Sequence, residues 1–137
     1  MAAVEKYESH QVVIRKPESL IYTVLSDFNN FSPALEGKVE DWKVEGDSSS
    51  FKVKGITAGM KIVDRIPSNT IKIEGDQSSP MPFTFWIQLK QVSVDDTRMR
   101  LTLHTKLNMM MKMMLGKKLQ EGINKMADSI AESFNRF

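Results

Sequence analysis

The 137-residue chain contains no cysteine. Disulfides, thiolate catalysis and cysteine-ligated zinc are therefore excluded. A chain without disulfides is typical of a reducing compartment, so we expect a cytoplasmic location. Residues 1–10 carry charges where a secretory signal needs an apolar run, and no stretch approaches the roughly 20 apolar residues of a membrane-spanning helix. We therefore expect neither a leader peptide nor a stable membrane anchor.

Charge of one sign and metal-ligating side chains are also scarce. The 19 lysines and arginines nearly balance the 17 aspartates and glutamates, which leaves a net charge of +2. An excess this small does not indicate a nucleic-acid partner. Two histidines without cysteine do not suggest a dedicated metal site, and the sequence has no glycine-rich phosphate loop or nucleophile-elbow motif. We expect no metal, no cofactor and no nucleic acid.

Period-two alternation of apolar and polar residues fills most of the chain. It predicts a first strand over Glu5–Arg15 and six further strands between residues 41 and 107, joined by short turns. After the first strand, Pro17 opens an amphipathic helix over residues 18–27, and residues 28–35 allow a short second helix. Consecutive strands with short turns indicate an antiparallel meander with one buried face.

The last segment, from about Asn108 to Phe137, has a helical period. At 1.5 Å per residue it reaches roughly 40 Å, enough to cross the whole sheet. One stripe of the helix is apolar and consists of Leu115, Leu119, Ile123, Met126, Ile130 and Phe134. The sequence thus predicts a single α+β domain over residues 1–137, with a seven-stranded antiparallel sheet wrapped around a long C-terminal helix.

The stretch from Val12 to Leu35, VVIRKPESLIYTVLSDFNNFSPAL, resembles the opening of the helix-grip (SRPBCC) superfamily. That superfamily includes START-related lipid-transfer domains, birch-pollen-allergen-like proteins and polyketide cyclases/dehydrases. The matching residues are Ile14, Pro17, Val24, Leu25, Asp27, Asn30, Phe31 and Pro33. The resemblance implies an apolar cavity between sheet and helix that holds a lipid or another hydrophobic small molecule. Some members are enzymes and others are carriers, and a shared fold does not choose between them.

The residues expected to line this cavity are those on the inward strand faces and on the helix stripe. They are Trp42, Phe51, Ile62, Phe83, Phe85, Leu101, Leu103, Met109, Met113, Leu119 and Ile123. The aromatic members either line an open cavity or fill it. Small groups at Gly55, Gly75, Thr105, Gly116 and Gly122 are expected to leave room. Strand parity sends Phe85 inward and Trp86 outward.

Three ionisable residues, Glu8, His10 and Asp64, fall on faces assigned inward by alternation. Inside an apolar cavity they would suit acid–base chemistry or ligand orientation. The alternative is that Glu8 and His10 sit at a frayed strand end in water, while Asp64 pairs with a lysine or caps a turn. These residues are the catalytic candidates if the protein is an enzyme.

Five methionines occur within six positions, at residues 109–111, 113 and 114. Met109 and Met113 fall near the apolar stripe, where adaptable side chains would line one end of the cavity. Met110 and Met114 project near the polar side, beside Lys112, Lys117 and Lys118, where they would contact a membrane surface or a second subunit. The alternative is that residues 108–113 are irregular and plug the core.

Three functions follow from these patterns. The first is a module that binds a hydrophobic small molecule or lipid without catalysis. The second is an enzyme of the cyclase/dehydrase kind, and the third is an interaction protein with a filled cavity. An open, mostly apolar cavity of about 300 Å³ would favour the first, and convergent inward polar groups would favour the second.

Overall fold

The computed structural model describes residues 3–31, 40–53, 56–75 and 82–136. It contains eight strands in these ranges, numbered in chain order: β1 (Ala3–Glu8), β2 (Val12–Ile14), β3 (Glu40–Glu45), β4 (Ser48–Val53), β5 (Ile56–Ile66), β6 (Thr70–Gly75), β7 (Phe83–Ser93) and β8 (Asp96–Leu107). Helix α1 covers Glu18–Leu25, a 3₁₀ turn covers Phe28–Phe31, and helix α2 covers Met109–Asn135. The predicted second helix therefore shrinks to one turn, and its remaining residues lie outside the described ranges.

All strands join one antiparallel sheet. The spatial order is β1-β8-β7-β6-β5-β4-β3, and β2 pairs with β8 alongside β1. This order confirms the α+β architecture, with one sheet and a long C-terminal helix. Within the described ranges, no helix combines the length and the apolar character needed to cross a bilayer.

The predicted first strand is interrupted between β1 and β2. Glu8 pairs with Thr102, whereas Val12 pairs with Met99, so residues 9–11 carry one residue more than the facing segment of β8. The Ser9 hydroxyl accepts the Leu101 N–H at 2.9 Å and takes the place of a ladder acceptor. One extra residue reverses which side chains face inward. Ser9 is therefore buried on the inner side, and the predicted continuous strand was wrong at this point.

A second extra residue lies in β5. Ile62 pairs with Ile73, but Asp64 pairs with Lys72 and Arg65 pairs with Ile71. Because Ile71 is buried, its partner Arg65 lies on the inner face after the bulge.

Helix α1 is held on β7 by two reciprocal hydrogen bonds. The Glu18 N–H donates to the Gln91 side chain at 2.8 Å, and the Gln91 N–H donates to the Glu18 carboxylate at 3.0 Å. A carboxylate in the first turn also suits the positive end of the helix dipole. Ile21 and Leu25 are buried beneath the helix.

Helix α2 begins at Asn108, whose side chain accepts the Met111 N–H at 2.8 Å as an N-cap. Its main contacts are with β1, β2 and β8. The fully buried positions are Ile123, Ala127 and Ala131, whereas Met126 of the predicted stripe is 48% exposed. The buried face is thus rotated from the predicted stripe toward the two alanines.

Candidate ligand-binding cleft

The inner face of the sheet has two regions that differ in burial. Under α1 and α2, apolar side chains such as Ile14, Met99 and Leu101 are fully buried. Other inward side chains, on β3, β4, β5 and β7, are only partly buried. Four of them, Trp42, Val44, Met60 and Phe85, also pack against the core. We call this second region the inner cleft, and it is formed by Trp42, Val44, Phe51, Met60, Phe83 and Phe85.

An aromatic row forms one wall of the inner cleft. The Phe28 and Trp42 ring centroids lie 6.4 Å apart in an edge-to-face arrangement, and Trp42 and Phe51 follow at 6.3 Å. Phe28 is fully buried, whereas Trp42 and Phe51 are partly exposed. The row therefore runs from the packed core into accessible apolar surface.

One flank of α2 is fastened to the segment that joins β1, β2 and α1. Gln120 donates to the Glu8 carbonyl at 2.7 Å, and the His10 N–H donates to the Asn124 side chain at 2.9 Å. Asn135 donates to the Val13 carbonyl at 3.0 Å and accepts the Arg15 N–H at 2.7 Å. We call residues 8–15 of this segment the connector. The hydrogen bonds set the rotation of the helix, because polar side chains along one flank pair with backbone N–H and carbonyl groups of the connector.

The opposite flank of α2 carries Leu115, Leu119 and Met126. At 100° per residue, these positions lie roughly 160° from Asn124 and Asp128. Leu115 and Leu119 are partly buried, and Met126 is about half-exposed. Because the polar flank holds the β1–β2 edge, the apolar flank is turned away from that edge.

The glycines expected to leave room behave differently from one another. A Cβ at Gly75 would overlap the Phe83 ring, so that ring already occupies the space. A Cβ at Gly116 would lie 3.2 Å from the Tyr7 hydroxyl, so this glycine permits close packing of α2 on β1. Gly122 has nothing within 4 Å. Gly55 lies outside the described residues, and Thr105 is buried with its hydroxyl bonded to the Pro82 carbonyl.

The other predicted lining residues fall into three groups. Ile62, Leu101 and Ile123 are buried in the core. Leu103, which pairs with Phe85, and Leu119 on α2 are partly buried. Met109 and Met113 are 79% and 81% exposed, so neither packs into the core. The prediction that residues 108–113 form an irregular plug is wrong, because they belong to a capped, exposed start of α2.

The inward placement of Glu8, His10 and Asp64 was wrong. All three side chains are exposed, since the bulges at residues 9–11 and in β5 reverse the parity that alternation predicts. The His10 Nε2 lies 2.6 Å from an Asp128 oxygen on α2, while Glu8 lies near Lys6 and Arg100 on the outer face. The structure does not bring the three together on the inner face, which removes the geometric basis for their catalytic roles.

The bulge in β5 places on the inner face a residue, Arg65, that alternation assigned to the outer face. Arg65 donates two hydrogen bonds to the Asp47 carboxylate, at 2.6 and 3.0 Å, and one to the Ser26 carbonyl at the end of α1. The hydrogen bond with Arg65 lowers the pKa of Asp47 below its ordinary value of 3.8. Arg65 thereby ties the β3–β4 turn to α1. No period-two signal could have revealed it.

The outer face of the sheet carries Trp86, as its parity predicts. Its ring lies edge-on to His104 with centroids 4.6 Å apart, and the Lys72 Nζ lies 5.7 Å from its centroid. The described structure also has two shallow hollows, of about 340 and 250 Å³. The first is lined by β4–β6 and includes Met60 of the inner cleft, and the second is lined by β7–β8 with residues 8–11. Neither is lined by α2. Among the described residues, no group of three acidic or histidine side chains is placed to hold a metal ion.

Several solved structures share this architecture at low sequence identity. Norcoclaurine synthase from Thalictrum flavum, bound to a transition-state analogue, superimposes with a TM-score of 0.76 at 13% identity, covering 98% of this chain and 96% of that one. The Aha1 dimer from Colwellia psychrerythraea gives 0.66 at 18% identity, covering 96% of each chain. Mll3558 from Rhizobium loti gives 0.71 at 12% identity, with 96% and 98% covered.

No protein-family model and no curated protein matches the chain. At identities below 20%, the structural similarity defines the fold. The chain has the helix-grip fold that the Val12–Leu35 resemblance predicted.

Proposed function

We propose that the protein binds a hydrophobic small molecule or lipid in the inner cleft, beneath the apolar flank of α2. The observation that carries this proposal is the partial exposure of inward aromatic and aliphatic side chains on the inner face of the sheet. Water in contact with such a surface is unfavourable by about 25 cal/mol for each Å² that a guest would cover. An apolar guest would complete the burial that α1 and α2 provide elsewhere on the same face.

The polar content of the cleft supports binding rather than chemistry. Its six wall residues are aromatic or aliphatic, and Ser49, which pairs with Val44 and Met60, is a buried polar neighbour on the same face. The three candidate acid–base residues are on the exterior. A structural neighbour, norcoclaurine synthase, has been solved in complex with dopamine and hydroxybenzaldehyde. In our proposal this chain uses the same kind of fold to bind a guest and contributes no catalytic side chain from the inner cleft.

Binding is tested with an apolar reporter dye titrated into the folded protein, followed by displacement with long-chain lipids. We expect micromolar affinity and a clear loss of affinity in Phe85→Ala, because Phe85 faces the inner cleft. The matched control is Trp86→Ala, whose ring is removed from the outer face and should leave the affinity nearly unchanged. Dye binding only during unfolding would contradict the proposal and favour an interaction protein with a filled interior. Independently of the dye, native mass spectrometry of the purified protein identifies any lipid that it retains.

A further inference from the structure

The start of α2 carries four methionines that nothing in the described structure covers. Met109, Met110, Met113 and Met114 are between 67% and 81% exposed. Their helical positions span about 140° around the axis, so they form one continuous apolar surface over two turns. We call these four residues the methionine patch. Apolar surface gathered in this way usually marks an interaction site.

Positive charge borders the methionine patch. Lys117 and Lys118 follow it within one turn, and Lys106 precedes it at the end of β8. These three lysines are exposed and make no ion pair within the described residues. The first helical turn contains no acidic side chain to offset the positive end of the helix dipole.

Negative charge near the methionine patch is limited. Lys112 is paired with Glu5 at 3.3 Å, and Glu121 is the first acidic residue after the patch along the helix. The surface therefore combines unbranched apolar side chains with an excess of lysine over acidic side chains. This is the composition with which a helix lies at the interface of an anionic bilayer.

We propose that the methionine patch docks the protein on an anionic phospholipid surface. The methionines would enter the boundary between headgroups and acyl chains, while Lys106, Lys117 and Lys118 contact the headgroups. A second copy of the chain fits the patch less well, because two-fold pairing through it would bring like-charged lysines together. The docking does not depend on a ligand in the inner cleft.

The test compares flotation of the full chain with vesicles of phosphatidylcholine alone and with vesicles that also contain phosphatidylserine. We expect binding only to the second kind, weakened when salt is raised from about 0.1 M to about 1 M, where the screening length falls from ~10 to ~3 Å. Met110→Gln/Met113→Gln/Met114→Gln should lower the partition coefficient at least tenfold. Lys117→Gln/Lys118→Gln should lower it about tenfold or more.

The matched control is Met126→Gln, a half-exposed methionine of the same helix outside the methionine patch. It should leave vesicle binding unchanged, and circular dichroism should show native helix content in every variant. Vesicle binding equal in the triple methionine variant and the wild type would overturn the proposal. So would a dimer in solution that the triple variant converts to monomer, since that result assigns the patch to a second copy. Dye binding measured on the same proteins reports on the inner cleft separately.

Discussion

The two regions of the inner face are built from the same alternating strands and differ in what lies over them. Beneath α1 and α2, Ile71, Met99 and Leu101 are fully excluded from solvent. In the inner cleft, Trp42 and Met60 occupy equivalent inward positions and stay partly exposed. Strand alternation therefore supplies an apolar face throughout, and the rotation and placement of α2 divide that face into a packed core and an accessible cleft.

The largest expected effect is in the packed region. Ile123→Ala removes a buried side chain between α2 and the sheet, and we expect the free energy of unfolding to fall by about 2–5 kcal/mol. Met126→Ala, three positions along the same helix but half-exposed, should cost less than about 1 kcal/mol. Urea unfolding of both variants measures the difference. Similar losses of unfolding free energy in the two variants would show that α2 does not have one buried and one accessible flank.

Two glycine substitutions should change the free energy of unfolding in opposite directions. Gly75→Ala forces the Phe83 ring to move and should destabilise the protein by about 1–3 kcal/mol. Gly122→Ala adds a methyl group where nothing lies within 4 Å and should stabilise the helix by about 1 kcal/mol. Thermal unfolding of the two variants checks both values. Destabilisation by Gly122→Ala would mean that the flank of α2 is covered there.

The smallest expected effect concerns the Asp47–Arg65 pair at the surface. Because Arg65 lowers the pKa of Asp47, the pair stabilises the fold at neutral pH, and this contribution disappears as the pH falls below about 3.8. The stability difference between wild type and Asp47→Asn should thus be present at neutral pH and shrink in acid. In an Arg65→Gln background the same substitution should show no such pH dependence. A difference that stays constant with pH would contradict the assigned pairing.

Alternation predicted the strands because period-two patterns depend on local sequence, and the short turns predicted the antiparallel meander from β3 to β8. The pairing of β1 and β2 with β8 was not predicted. Alternation failed on Glu8, His10 and Asp64, because each lies beyond or beside a one-residue bulge that leaves the composition of the strand unchanged. The bulge in β1–β2 depends on the Ser9 hydroxyl bonding a residue 92 positions away. Such a long-range bond has no signature in a local pattern.

The hydrophobic pattern also failed to predict the rotation of α2 about its axis. The stripe centred on Leu119 and Met126 is the more apolar one, yet Ala127 and Ala131 are the buried positions. The hydrogen bonds of Asn124 and Asn135 with the connector backbone decide the orientation, and these depend on tertiary geometry. The methionine cluster was visible in the sequence, but the sequence left open whether it plugs the core or faces solvent. The N-cap at Asn108 starts the helix before the cluster and leaves these side chains exposed.

The inner cleft is tested most directly by quenching the two tryptophans separately with a brominated fatty acid, which quenches only rings it nearly touches. Trp86→Phe leaves Trp42 in the inner cleft, and Trp42→Phe leaves Trp86 on the outer face. We predict saturable quenching of Trp42 at micromolar ligand and little quenching of Trp86 under the same conditions. Quenching of Trp86 alone, or of neither ring, would contradict a ligand site on the inner face.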